Sequence, residues 1–333
     1  MKRTVFLLPA IVFILISTSC GRSTPTETAI DVYCYDSFSS EWGPGPAIAA
    51  AFEEQEGIKV TFHAPGDAVS VLNQLILEKD DPRADVVIGL DDSLLGRALD
   101  SGVLVPYESP ELDSVPDHLV FDPSHHLLPY DHGHFAINYD SEAVESPPTS
   151  LEDLTDPRFR ESLVLMDPRT STPGLGFLLW TVQIYGNSWP EYWSRLRPSI
   201  LTVSDGWSQG YALFTAGEAS MVLSYGTSPA YHAEYESTDR YRAIEFSDGH
   251  LRQVEGMGIV SGTEERDAAE RFIDFMLTAE SQSTVALSNI MLPARSDVDL
   301  PPSFDLALRP DQVLTTPPAS DELIDRWVEI FAE

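Results

Sequence analysis

Apolar positions along this chain fall into two rhythms. Short apolar or alternating runs predict strands at 30–35, 58–62, 85–90, 134–139, 163–166, 200–203 and 219–225, with further strand-like segments at 241–246 and 251–260. Between them, apolar residues recurring every three or four positions predict helices at 47–55, 69–78, 92–101, 173–185, 189–196, 207–216, 264–277, 279–287 and 321–331. Gly57 marks the end of the first helix. SPPTSLEDL (146–154) reads as a loop and a capped helix. Strands alternating with helices of this length predict an α/β protein with a mostly parallel sheet covered on both faces. The texture breaks twice, in the Pro-, Asp- and His-rich stretch 107–133 and in the proline-rich stretch 292–318.

The simplest assembly has two lobes joined by two crossing strands near 134–139 and 251–260. Residues 30–130 and 256–333 then form a discontinuous first lobe, and 131–255 form the second lobe with the hinge crossings. The cleft between them is walled by loops at strand ends, where open α/β sheets take ligands.

The amino terminus stands outside this scheme. Lys2 and Arg3 precede an apolar run from Val5 to Ile16, interrupted by Pro9 and followed by Ser17, Thr18, Ser19 and Cys20. The run is short for a membrane span and fits a signal peptide over 1–19. The segment resembles a bacterial lipoprotein signal, with Ser17 in place of the usual leucine; that resemblance implies that Cys20 is lipidated and that 20–29 tether the fold to a membrane. The implied address is the periplasm or cell envelope.

The full chain carries a formal net charge of −33, which disfavours nucleic acid and anionic lipid as partners. The excess either draws a cationic ligand inward or is a solvated surface suited to a salty habitat, where long-range steering is screened. Of the two cysteines, Cys20 is the candidate lipid site and Cys34 falls in an apolar strand, so disulfides do not hold the fold.

Candidate chemistry concentrates at loops. LMDPRTSTPGLGFLLW (165–180) reads as a strand, a hydroxyl-rich turn and a helix, with Thr172 as N-cap and Pro173 in the first helical position. The hydroxyls of Thr170, Ser171 and Thr172, the bare backbone at Gly174 and Gly176 and the helix dipole would suit an anion; a capped turn without ligand fits equally well. Trp42, Trp207, Tyr225 and Tyr231 lie at loop positions, where their faces suit a cation or a flat ring, or simply pack. Asp67 and Ser70 open the helix over 69–78, and Asp92 reads as an N-cap. His132 and His134 would share a strand face but lack further ligands at diagnostic spacing, so no metal site is assigned. The chain has no G-x-S-x-G elbow, Walker loop or H-E-x-x-H helix, and no catalytic residue is assigned.

The segments YDSFSSEWGPGP, GDAVSVLNQL, ADVVIGLDDSLL, MDPRTSTPGLGFLLW, DGWSQGYALF and LSYGTSPAYH resemble, in order and spacing, the thiamine-binding proteins of bacterial ABC transporters. The resemblance runs from residue 33 to about 295. It implies a type II periplasmic binding protein, two-lobed and hinged, that is not an enzyme and needs no cofactor. It would act as a monomer that captures thiamine, thiamine monophosphate or thiamine diphosphate and passes it to an ABC permease with its ATPase subunit. The family's aromatic contacts fall on Trp207, Tyr225 and Tyr231, with Tyr35 and Trp42 nearby. Its polar contacts fall on Asp67 and Ser70, and its phosphate or hydroxyethyl contacts on Ser171, Thr172 and Gly174. Ile290 stands where the family has tryptophan, which weakens one wall of the box. The rival ligands on the same fold are a polyamine or ferric iron, and the rival activity is thiamine salvage.

Overall fold

The computed structural model describes residues 28–317 and 319–332. The signal peptide, Cys20 and most of the tether lie outside the described residues.

The first lobe opens with β1 (Ala29–Tyr33), the single turn α1 (Asp36–Ser39), α2 (Gly45–Glu56), β2 (Lys59–His63), α3 (Ala68–Leu77), β3 (Val86–Asp91), α4 (Leu95–Ser101) and β4 (Leu104–Val105). β5 (Leu128–Asp140) crosses to the second lobe, built from β6 (Leu163–Met166), α5 (Thr172–Tyr185), α6 (Trp189–Leu196), β7 (Ile200–Ser204), α7 (Trp207–Thr215), β8 (Met221–Tyr225), α8 (Ser228–Tyr235) and β9 (Tyr241–Ala243). β10 (His250–Val260) returns, followed by α9 (Arg266–Met276), α10 (Ala279–Asn289), β11 (Leu292–Pro293), β12 (Val313–Leu314) and α11 (Asp321–Ala332).

The strand order is β2-β1-β3-β10-β5-β8-β6-β7. Within each lobe the neighbours β1/β2, β1/β3, β6/β7 and β6/β8 are parallel, as the alternation of strands and helices requires. β3 is buried along its whole length, which explains why VVIGL is continuously apolar and not alternating. Antiparallel pairing is confined to the middle. β5 pairs β10 and β11 with its first half and β8 and β9 with its second, while β10 runs from β5 to β3 and β4. Its register shifts at Glu255/Gly256 against β5 and at Gly256/Met257 against β3. Irregularities of this kind bend a strand, and this one sits where the two lobes meet.

Several local expectations are adjusted. Ser171, one residue before the expected Thr172, stands at the N-cap position of α5 without a capping side-chain hydrogen bond, and Thr172 is already helical. α4 starts at Leu95 because the Asp91 carboxylate accepts from the backbone N–H groups of Ser93 and Leu94 and turns the chain first. Asp92 is therefore not the cap; its carboxylate faces Thr316 Oγ1 at 3.4 Å. SPPTSLEDL forms only a 3₁₀ turn at Glu152–Thr155. β1 ends at Tyr33, so Cys34 is buried just beyond the strand.

The carboxyl-terminal stretch does not stay with the first lobe. β12 pairs with the start of β10, and Trp327 of α11 lies edge-on to Trp193 of α6, with Phe331 stacked beside it. By its packing α11 belongs to the second lobe, whereas residues 256–333 were expected in the first. Burial of Trp327 supplies the reason, since the apolar stripe of this amphipathic helix fits the exposed edge of α6.

Gly174 and Gly176 serve packing. A Cβ at Gly174 would collide with the Met166 carbonyl and the Asp167 backbone, and one at Gly176 with the Phe135 ring. Neither glycine lines the cavity between the lobes. Gly174→Ala should therefore cost about 1–3 kcal/mol of stability, read as a lower urea midpoint with an unchanged slope.

Candidate ligand-binding site

A cavity of about 340 Å³ lies between the lobes, within the range of small-molecule sites. The first lobe contributes Tyr35, Trp42, Asp67 and Asn289, and the second contributes Trp207, Tyr211, Tyr225 and Tyr231; Glu255 of the crossing strand β10 also lines it. Every aromatic residue expected at the site from the sequence is thus on its wall.

Trp207, Tyr211, Tyr225 and Tyr35 are held from behind. Trp207 begins α7 and stacks on Tyr211 one turn later, with centroids 4.8 Å apart and planes at 23°. Its indole N–H donates to Ser224 Oγ at 2.8 Å, and Ser224 in turn meets Ser228 Oγ at 2.8 Å. The Tyr211 hydroxyl meets His232 Nε2 at 2.7 Å, and His232 Nδ1 meets Glu236 at 2.7 Å. Tyr225 stacks on Phe135 of β5, whose ring occupies the space left by Gly176. Tyr35 lies against Gly89 of β3, which has a positive φ and whose Cβ would overlap the tyrosine ring. Trp42 is about half exposed at the mouth, 6.4 Å from Trp207 across the cleft. Ordering these side chains before a ligand arrives reduces the entropy lost on binding.

The polar side of the mouth is made by Asp67. Its Oδ1 accepts from Ala68 N at 2.7 Å and its Oδ2 from Trp207 N at 3.1 Å, so one carboxylate caps helices from both lobes. Burial raises its pKa above the ordinary carboxyl value, against which these two N–H groups act. Two further contacts close the cleft: Ser70 N to the Thr170 carbonyl at 3.2 Å and Ser208 Oγ to Asp36 Oδ1 at 3.0 Å.

Ser70, Ser171, Thr172 and Gly174 do not line the cavity. Ser171 and Thr172 are buried, and Ser70 faces Thr170 instead. With the lobes in this arrangement the amino end of α5 is covered by the first lobe. Arg169, at the same turn, is tied up by Asp167 in a paired contact with Nε and Nη2.

The floor is acidic and buried. Glu255 Oε2 accepts from Tyr130 at 2.5 Å and Tyr35 at 3.0 Å, and Asn289 Nδ2 donates to Tyr35 Oη and Asp131 Oδ2, both at 2.8 Å. Burial pushes Glu255 up to about 7 and drives Asp131 well above the ordinary carboxyl range. Ile290 closes one end of the cavity in a left-handed conformation, φ 55°, which is strained for a β-branched residue. It supplies an aliphatic surface and no ring. His132 and His134 are pushed down to about 3 and about 4 by burial, so they are neutral. Among the described residues no group of three or more His, Cys, Asp or Glu side chains is placed to hold a metal ion.

Sequence reasoning missed Tyr211, Glu255 and Asn289. Tyr211 could have been found from its i, i+4 spacing to Trp207, and Glu255 as a lone charge in the apolar run VEGMGIV. Nothing local distinguishes Asn289.

Residues 81–318 match the family of bacterial extracellular solute-binding proteins. The chain is 42% identical to the thiamine-binding periplasmic protein of Brucella abortus over 87% of this chain and 86% of that one. It is 38% identical to the thiamine-binding periplasmic protein of Escherichia coli over 90% and 91%. A solved periplasmic thiamin-binding protein superposes with a TM-score of 0.88 at 36% identity, covering 94% of this chain and 99% of that one. The fold is that of the type II periplasmic binding proteins, and on this identity and coverage the chain belongs to the thiamine-binding periplasmic proteins within the bacterial extracellular solute-binding family.

Proposed function

We propose that this protein captures thiamine, or a thiamine phosphate ester, in the interlobe cavity and delivers it to an ABC permease driven by a separate ATPase. The observation that carries the reading is the pairing of pre-ordered aromatic walls with an acidic floor in one cavity. Thiamine joins a permanent thiazolium cation to a flat aminopyrimidine. Rings suit both halves, and buried carboxyl groups suit the cation and the amino group. The ligand would bridge the lobes and favour the closed arrangement, which the permease would then recognise.

Catalysis is not part of this reading. A salvage enzyme needs a nucleophile, and burial pushes the Cys34 thiol up to about 12, away from the reactive thiolate. Export through the signal at 1–19 and lipidation at Cys20 complete the proposal. A tether would keep the carrier close to its permease as a monomer.

Calorimetry on the soluble form beginning after Cys20 tests the ligand directly, with thiamine, its mono- and diphosphate, and spermidine as control. Binding of a thiamine compound supports the proposal; binding of spermidine alone keeps the fold and rejects the function. Trp207→Ala and Tyr231→Ala should each weaken thiamine binding by about 1–3 kcal/mol while the protein stays folded. Unchanged affinity in both variants would remove the aromatic box.

Asp67 makes the ester preference testable. Its carboxylate accepts the Trp207 N–H at the amino end of α7, a position that would otherwise suit an anion. Asp67→Asn should therefore favour the monophosphate over thiamine by about 1–2 kcal/mol relative to the unmodified protein. An unaltered ratio of the two dissociation constants would place the phosphate elsewhere.

A further inference from the structure

Glu255 and Asp131 occupy facing register positions on the two crossing strands, β10 and β5. Both are nearly or fully buried, at 4% and 0% exposure. The side-chain donors that reach them are all neutral: the Tyr35 and Tyr130 hydroxyls and the Gln253 amide on Glu255, and the Asn289 amide on Asp131. Among the described ion pairs, none includes either residue. The remaining titratable neighbours add no positive charge. Asp91 is linked to Glu255 through Gln253, while Asp67 and Tyr225 face it across the cavity. Two adjacent buried carboxyl groups without a cation cannot both ionise, so at least one proton stays on the pair. Asp131 is the deeper member and its Oδ1 has no hydrogen-bond partner among the described residues, so the proton stays on Asp131, while Glu255 is the member that reaches the cavity.

We propose that this carboxyl pair is the charge-reading element of the cavity: it receives a cationic ring as a monoanion, and any second proton on Glu255 is released to solvent as the ring enters. This rests on the thiamine reading of the same cavity. The step balances simply. The Glu255 O–H breaks, its proton passes to buffer, the Asp131 proton remains, and the carboxylate charge offsets that of the thiazolium. Because burial pushes Glu255 up to about 7 in the free protein, binding should discriminate between mildly acidic and mildly basic surroundings.

Thiamine titration calorimetry at about pH 6 and about pH 8, each in two buffers of different ionisation enthalpy, reads the released protons directly. The unmodified protein should release close to one proton at about pH 6 and close to none at about pH 8, with affinity about tenfold weaker at the lower pH. Glu255→Gln should abolish the difference; the ligand's own ring titration is common to both proteins and cancels in their comparison. Asp131→Asn keeps a neutral donor behind Glu255, so it should retain proton release with a shifted midpoint. If Glu255→Gln fails to fold, the proton count of the unmodified protein still decides. Thiamine binding without proton release and with equal affinity at both pH values overturns the pair's role and leaves the ligand assignment standing. No thiamine binding at either pH overturns both.

Discussion

The antiparallel pairing of β5 with β10 is the constraint through which the two lobes of this protein are positioned. Each strand is shared: β5 gives one half to each lobe, and β10 carries the chain back. Because side chains alternate across a strand, the register of this one pair decides which residues face the cleft. It places Glu255 opposite Asp131, while the pairing of β5 with β8 sets Phe135 behind Tyr225. A one-residue slip would turn these groups to the other face. The irregularities at Glu255–Met257 bend the strand at the point where lobe movement would act.

Around that pair the site is built by support from behind. The rings of Trp207, Tyr211 and Tyr225 each lean on a neighbouring ring or hydroxyl, and the glycines at 89 and 176 give up their side chains to make room for Tyr35 and Phe135. The same economy explains the α5 turn. Its hydroxyls and glycines have the composition of an anion cradle, yet Gly174 is needed for close contact with the Met166 backbone. Asp67 meanwhile uses the donors at the amino ends of α3 and α7. A carboxylate of the protein thus stands where an external anion would be welcome.

The net charge of −33 belongs largely to a surface where salt screens it, and says little about the ligand. The electrostatics of recognition reside in a few buried acids. In a medium of low dielectric an unpaired carboxylate is costly, so these groups hold protons or collect neutral donors until a cation arrives. Burial, more than the number of acids, gives the cavity its preference for positive charge.

Much of this was legible in the residue pattern. Period-2 and period-3.6 runs identified the α/β class, the parallel lobes and the two crossings, because burial of a sheet on both faces imposes a local signature. Aromatics at strand and helix ends pointed to Trp42, Trp207, Tyr225 and Tyr231, since loops at strand ends are the positions that face a cleft. The pattern was silent wherever partners lie far apart in sequence. That Glu255 meets Asp131, that Asn289 reaches Tyr35 and that Asp67 caps a helix of the other lobe are contacts spanning more than a hundred residues. The placement of α11 on α6 is of the same kind: amphipathicity shows that a helix must bury a face and leaves open against which one. Local chemistry selects elements and candidate side chains; the meeting of those side chains depends on strand register and lobe closure, which arise only when the whole chain has packed.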